Sequence, residues 1–227
     1  MSDLKQDRIR RFRQAGLYLV ITREFCAGRS SLDVLRAACD GGIRLVQLRE
    51  KSLAGKELYE LACKVREITL QYDVLMIMND HADIALACGA DGVHLGQSDM
   101  PVEAVRPFCP DLILGQSTHY PDQSVEGEKK GADYVNMGPI YATGTKQTPV
   151  TPVGLEYIPE LKRRLTIPFT VMGGIKAHHI PQLLEYGAET IAMVTEITQA
   201  PDITKRTQEL LKLFPGRGNF KSPAKFD

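Results

Sequence analysis

Three polar side chains recur at every second position of Leu45-Val46-Gln47-Leu48-Arg49-Glu50-Lys51: Gln47, Arg49 and Lys51. In an extended strand alternate side chains share a face. An amide, a guanidinium and an ammonium would therefore converge from one side, while Val46 and Leu48 take the other. A guanidinium fork and a point-charge ammonium suit the oxygens of a phosphate or pyrophosphate. The competing reading is a salt-bridge cluster at a rim, but inward cations without a partner are costly, which favours an anion. Two carboxylates follow, in Asn79-Asp80 and in Gln97-Ser98-Asp99. Neighbouring strands lie about 4.8 Å apart, so Asp80 and Asp99, one βα unit apart, can meet at one part of a rim. Mg2+ is typically held by one or two carboxylates together with phosphate oxygens and water, and this pair points to Mg2+ as the cofactor. Asp99 has an alternative use as the N-cap of a helix that opens at Met100-Pro101.

Further along, Gly115-Gln116-Ser117-Thr118-His119 places Ser117 to donate to a phosphate oxygen. His119 is either an acid or base, or a residue that only packs or caps. Gly138-Pro139-Ile140-Tyr141-Ala142-Thr143-Gly144-Thr145-Lys146 joins two hydroxyls and a lysine in a loop that extends toward Gly154. Long loops in compact domains are often lids, and the plainer alternative is an ordinary polar loop. Gly173-Gly174 would let backbone N–H groups approach an anion closely. Val194-Thr195-Glu196 ends the last apolar run. His81 adjoins Asn79-Asp80 and could touch a substrate. His94 falls inside a strand and reads as a satisfied core residue, His178 and His179 read as surface residues, and no histidine cluster has metal-ligand spacing.

The elements that must position these residues alternate regularly. Strands are expected at 17–22, 45–49, 74–79, 92–97, 112–117, 134–140, 169–173 and 190–195. Between them lie amphipathic stretches, such as 53–71 with Leu58, Leu61, Ala62, Val65 and Ile68 at helical spacing. Regular βα alternation means parallel strands joined by crossover helices, and eight such units predict a closed (β/α)8 TIM barrel, class α/β. The junctions Gly89-Ala90-Asp91-Gly92, Gly131-Ala132-Asp133-Tyr134 and Gly187-Ala188-Glu189-Thr190 repeat one pattern, with Gly41-Gly42 a looser copy. Each glycine would end a helix in a left-handed turn before the next strand. Strands of a parallel barrel are buried on both faces, so polar residues at their C-terminal ends mark the mouth where active sites of this fold lie.

Composition narrows the remaining possibilities. Lys plus Arg total 28 and Asp plus Glu total 28, without the basic excess of a nucleic-acid binder. The charged start Met1-Ser2-Asp3-Leu4-Lys5 lacks the apolar stretch of a signal peptide, and no apolar run is long enough to span a bilayer. A cytoplasmic protein is expected, with no nucleic-acid or membrane partner. Five cysteines without a C-x-x-C pair argue against disulfides and zinc; Cys39, Cys63 and Cys88 read as core thiols. The division expected is an N-terminal helix or cap over 1–16, a catalytic barrel over 17–214 and a flexible tail over 215–227.

The ordered set Gln47-Leu48-Arg49-Glu50-Lys51, Asn79-Asp80, Gly89 to Asp99, Ser117-Thr118-His119, Gly138-Pro139-Ile140, Thr143-Gly144-Thr145-Lys146, Gly173-Gly174-Ile175 and Val194-Thr195 resembles the thiamine phosphate synthase family over about residues 17–197. The resemblance implies a transferase that couples 4-amino-2-methyl-5-hydroxymethylpyrimidine diphosphate with a thiazole phosphate, through a pyrimidine carbocation, to give thiamine phosphate and pyrophosphate. It implies that Gln47, Arg49, Lys51 and Asn79 bind the diphosphate substrate and that Asp80 and Asp99 hold Mg2+. It assigns Ser117 and Lys146 to the leaving group, and Thr143, Thr145, Gly174, Val194 and Thr195 to the thiazole phosphate. Arg49, Lys51, Ser117 and Lys146 would form the catalytic set. A homodimer is left open as the assembly. The chain departs from the family pattern at Gly144, where proline is usual, at Thr195 for serine, at His81 for an arginine or similar residue, and at Asn136, a polar side chain inside a strand.

Three rival readings remain. A thiazole tautomerase-like isomerase would rely on His119-like chemistry and could lose the diphosphate and metal residues, all of which are present here. An aldolase would need Lys146 as a Schiff-base lysine, yet that residue lies in a loop. A non-catalytic thiamine-phosphate-binding protein would bind product without turnover.

Overall fold

The computed structural model describes residues 2–145 and 151–216. Eight parallel strands close on themselves in sequence order: β1 (Leu17–Ile21), β2 (Leu45–Leu48), β3 (Leu75–Asn79), β4 (Gly92–Leu95), β5 (Ile113–Thr118), β6 (Tyr134–Met137), β7 (Phe169–Val171) and β8 (Thr190–Met193). Closure is made where Leu17, Tyr18 and Leu19 pair with Ile191, Ala192 and Met193. Alternation divides each strand between two cores. Leu17, Leu19 and Ile21 of β1, like Val46 and Leu48 of β2, pack outward against the helices. Tyr18, Val20, Leu45, Leu75, Ile77, Ile113, Tyr134 and Ala192 fill the barrel interior. The expected (β/α)8 architecture and the facing of β2 are thus the observed ones.

Helices α1 (Asp3–Gln14), α2 (Ser31–Asp40), α3 (Gly55–Gln71), α4 (Ala82–Ala87), α5 (Val102–Val105), α6 (Pro121–Lys129), α7 (Tyr157–Arg164), α8 (Ile180–Glu185), α9 (Thr195–Thr198) and α10 (Ile203–Leu211) complete the fold. The first precedes the barrel and seals its floor. Ser2 caps it by accepting from the Lys5 N–H at 3.3 Å. Phe12 is buried against Tyr134 and Tyr18, with ring centroids 4.3 and 5.9 Å away.

The repeated Gly-Ala-Asp and Gly-Ala-Glu junctions have a physical reason. Gly89, Gly131 and Gly187 hold φ of 69°, 93° and 101°, the left-handed region that costs a glycine nothing. In the looser copy it is Gly42, at 96°, that turns left-handed. The acidic residue two places on accepts a backbone N–H of an adjoining strand: Asp91 from Met76 at 2.9 Å and Asp133 from Leu114 at 2.8 Å. The same carboxylates anchor the N-terminal helix through Arg8–Asp91 at 3.1 Å and Lys5–Asp133 at 2.8 Å.

Several expectations are corrected at element ends. The sixth strand stops at Met137 rather than 140; Pro139, which follows a cis bond at Gly138, has no N–H to continue a ladder. The fourth stops at Leu95, where the chain turns so that Asp99 Oδ2 accepts from the Gly96 N–H at 2.6 Å. Cys39 is buried, whereas Cys63 and Cys88 are only half-buried at the margin of the helix layer. Among the described residues no helix is long and apolar enough to cross a membrane.

Candidate active site

The C-terminal mouth of the barrel opens into a cavity floored by Tyr18, Val20 and Ala192 and walled by the strand ends. Gln47 and Arg49 reach it from the end of β2 and Asn79 from β3. Ser117 comes from β5, Thr143 and Thr145 from the loop after β6, Gly174 from the loop after β7, and Val194 and Thr195 from the end of β8. Residues as far apart in the chain as Tyr18 and Thr195 are therefore brought around one space by closure of the sheet. Lys146 lies outside the described residues.

Alternation persists just beyond β2 and separates Arg49 from Glu50. Glu50 is buried on the helix side, where it accepts from the Arg23 N–H at 2.8 Å, and burial raises its carboxyl above the usual range. Arg49 turns the other way. Its guanidinium makes no hydrogen bond or ion pair with another described residue, so an anion entering the cavity meets an uncommitted, half-buried cation.

Lys51, Asp80 and Asp99 form a cluster on the rim beside Asn79. Lys51 is ion-paired with Asp80, and the Asp80 and Asp99 carboxylates act on each other's ionisation. Burial, then the hydrogen bond with Asp99, raises the Asp80 carboxyl. At Asp99 burial also pushes upward but is outweighed by the hydrogen bonds from Asp80 and from the Gly96 N–H and by the charge of Lys51, so its carboxyl is lowered. Asp80 has φ of 63°, a conformation uncommon for residues with a Cβ, and such outliers cluster at functional sites. The helix-capping alternative for Asp99 does not occur: Pro101 stands at the N-cap of α5, and no side chain caps it.

The loop after β6 is held from both sides. Thr143 Oγ1 accepts from the Thr145 N–H at 3.2 Å. The Tyr141 ring stacks on His179, with centroids 4.0 Å apart, so His179 packs against the loop while His178 is exposed. Gly173 and Gly174 have φ of 100° and 64°. A Cβ on Gly174 would overlap the Ala142 carbonyl, and one on Gly173 would overlap Pro139. The paired glycines thus let the β7 loop and the loop after β6 pass at backbone contact.

Two further groups at the site were not singled out by sequence reasoning. His94, read as a satisfied core histidine, is indeed buried and hydrogen-bonded, but it lines the cavity and lies 2.9 Å from Ser117 Oγ. Its alternation with Gly92, on the same inner face, was the signal available. Lys176, two residues after the paired glycines, also lines the cavity and is ion-paired with Glu196 at 3.2 Å. His119 lines the cavity with Nδ1 donating to the Gly138 carbonyl at 2.6 Å. Asn136 is buried, accepting from Thr170 Oγ1 at 2.8 Å. His81 stands at the N-cap of α4 and does not line the cavity.

Comparison with known proteins gives a consistent result. Residues 17–197 match the sequence family described as thiamine monophosphate synthase. The chain is 40% identical over 221 residues to the thiamine-phosphate synthase of Dictyoglomus thermophilum, covering 97% of this chain and 99% of that one. It is 43% identical over 196 residues to that of Shouchella clausii, covering 86% and 94%. Among solved structures, thiamine phosphate pyrophosphorylase from Pyrococcus furiosus aligns with a TM-score of 0.82 at 34% identity, over 89% of this chain and 96% of that one. A 3-hexulose-6-phosphate synthase, at 18% identity and a TM-score of 0.61, shares the fold alone.

Proposed function

The chain belongs to the thiamine monophosphate synthase family and is a transferase of thiamine biosynthesis, and on that premise we propose how its residues carry out the reaction. 4-Amino-2-methyl-5-hydroxymethylpyrimidine diphosphate binds with its diphosphate toward Arg49, Lys51, Gln47 and Asn79. The bond between the exocyclic carbon and the diphosphate oxygen breaks first, and its electron pair leaves with pyrophosphate. The thiazole nitrogen then gives its lone pair to the pyrimidine carbocation, forming the C–N bond of thiamine phosphate. Without a covalent nucleophile, rate depends on positioning and on charge fixed where the leaving group develops it.

The observation that carries this reading is the uncommitted Arg49 guanidinium facing the cavity beside the paired carboxylates of Asp80 and Asp99. Those carboxylates fit a hard divalent cation. They are adjoining oxygen donors whose charges oppose each other when both are ionised, a repulsion that a cation relieves. Asp80 and Asp99 would hold Mg2+, which when bound neutralises part of the diphosphate charge. Ser117 and Lys146 would donate to the departing pyrophosphate. Thr143, Thr145, Gly174, Val194 and Thr195 would line the thiazole phosphate subsite, with Lys176 close by. The partners in this reading are two small molecules in the cytoplasm, with no nucleic acid or membrane involved.

The test is an assay with both substrates and Mg2+ that follows pyrophosphate release and thiamine phosphate formation, with an EDTA control. Metal-dependent appearance of both products is expected. Binding of thiazole phosphate without either product would replace this reading with an isomerase-like or binding-protein one.

A further inference from the structure

A chain of hydrogen bonds crosses the barrel interior beneath the cavity and joins two of its walls. The Gln47 amide nitrogen donates to the Tyr18 phenol oxygen at 2.7 Å. That oxygen lies 3.1 Å from the Tyr134 phenol oxygen. Tyr134 is 2.9 Å from His94 Nδ1, and His94 Nε2 is 2.9 Å from Ser117 Oγ. The five groups come from β2, β1, β6, β4 and β5. Space for the central phenol is provided by Gly115, where any Cβ would overlap the Tyr134 ring. Tyr134 itself is 1% exposed.

Counting protons gives this chain a direction. The Gln47 amide nitrogen only donates, so the Tyr18 oxygen accepts from it, and directing the single Tyr18 hydrogen to Tyr134 is the arrangement that leaves no buried donor of the chain without an acceptor. The single hydrogen of Tyr134 then goes to His94 Nδ1, which must be the unprotonated ring nitrogen. A neutral imidazole in that state carries its hydrogen on Nε2 and donates it to Ser117 Oγ. The Ser117 hydroxyl, accepting from His94, keeps its own hydrogen for the cavity. Burial drives the ionisation of both phenols far above the usual range, so neither loses the proton on which the order depends.

We propose that His94 is a positioning residue, oriented through Tyr134, Tyr18 and Gln47, that fixes the Ser117 hydroxyl as a donor aimed at an oxygen of the leaving diphosphate. The assignment rests on the reading that Ser117 contacts that group. A free serine hydroxyl would have to select this rotamer at the moment of reaction. A hydroxyl held by a preorganised chain has made the selection beforehand, which is where preorganised donors draw their effect on rate. The end at Gln47 also faces the cavity, so the group that sets the direction of the chain and the group that delivers its last hydrogen both line one substrate site, from β2 and β5.

The test is a double-mutant cycle on the full chain, with Tyr134→Phe, Ser117→Ala and the pair, reading kcat and KM for pyrophosphate release with both substrates and Mg2+. Tyr134→Phe removes one buried oxygen and no cavity wall. It is expected to lower kcat by about tenfold with little change in KM, and to cause no further loss once Ser117 is alanine. An equal loss in both backgrounds, or none, overturns the proposal and leaves the coupling reaction untouched. A Ser117→Ala enzyme as fast as the parent overturns both the proposal and the assignment of Ser117 to the leaving group. If Tyr134→Phe does not fold, the 15N chemical shifts of His94 in the parent protein decide. A hydrogen on Nε2 with Nδ1 bare is the expected tautomer, and the reverse overturns the proposal.

Discussion

The carboxylates of Asp80 and Asp99, which follow the adjacent strands β3 and β4, adjoin each other at the rim while Lys51 pairs with the first of them. Two acids so placed oppose each other until a cation separates their charges. Addition of Mg2+ should therefore raise the melting temperature of the parent, since a ligand that binds only the native state stabilises it. The shift should vanish in Asp80→Asn and with EDTA. Asp80→Ala should lower the coupling rate by at least about 10². A variant that keeps both the Mg2+ shift and the rate would remove Asp80 from the metal assignment.

Arg49 has no hydrogen-bonding or ion-paired partner among the described residues, so its loss should affect rate rather than folding. Arg49→Ala should leave unfolding free energy within about 0.5 kcal/mol of the parent while turnover falls at least about 10². Denaturant midpoints and steady-state rates separate the two effects. A large loss of stability with intact turnover would make Arg49 a structural residue.

His119 keeps its Nδ1 hydrogen on the Gly138 carbonyl, 2.6 Å away, and the coupling reaction as proposed asks no proton of it. His119→Ala should therefore leave the coupling rate largely intact. Collapse of activity in this variant would favour the acid–base chemistry of an isomerase.

Gly174 and Gly144 stand on facing loops and should respond oppositely to a methyl group. At Gly174 the left-handed backbone and the overlap with the Ala142 carbonyl predict a loss for Gly174→Ala of about 1–2 kcal/mol from conformation alone, with a raised KM for thiazole phosphate. At Gly144 nothing lies within 4 Å of an added Cβ. Gly144→Ala should be neutral or stabilising by about 0.4–1 kcal/mol. Thermal unfolding of the two variants checks both signs at once.

Glu196 joins the β7 loop to α10 through Lys176 at 3.2 Å and Arg206. Burial pushes its carboxyl upward, but the hydrogen bonds from Arg206, Lys176 and the Ala177 N–H outweigh it, so the group is lowered from its ordinary 4.5. A carboxylate lowered on folding contributes stability that is present above its ordinary value and is lost as pH falls through the folded one. Glu196→Gln should thus melt below the parent at pH 7. The gap should narrow as pH drops below 4.5. A gap independent of pH would mean that packing, rather than charge, is what the variant removes.

The sequence by itself determined the barrel and much of its mouth. The alternation Gln47, Arg49, Lys51 against Val46 and Leu48 is a local property of an extended chain, and it assigned both faces of β2 before any contact was known. The glycine of each Gly-Ala-Asp or Gly-Ala-Glu junction likewise announces a left-handed turn, because the constraint acts within three residues. Tertiary structure alone decided what those residues meet. Nothing near Asp91 in sequence points to Arg8, 83 positions away. Nothing near His94 points to Tyr134, which is 40 positions away, or to the Tyr18 phenol 116 positions from Tyr134. A histidine inside a buried strand reads the same whether its partners merely satisfy it or order a proton chain. The difference lies in which strands closure of the barrel sets face to face, and in the empty volume that Gly115 leaves between them.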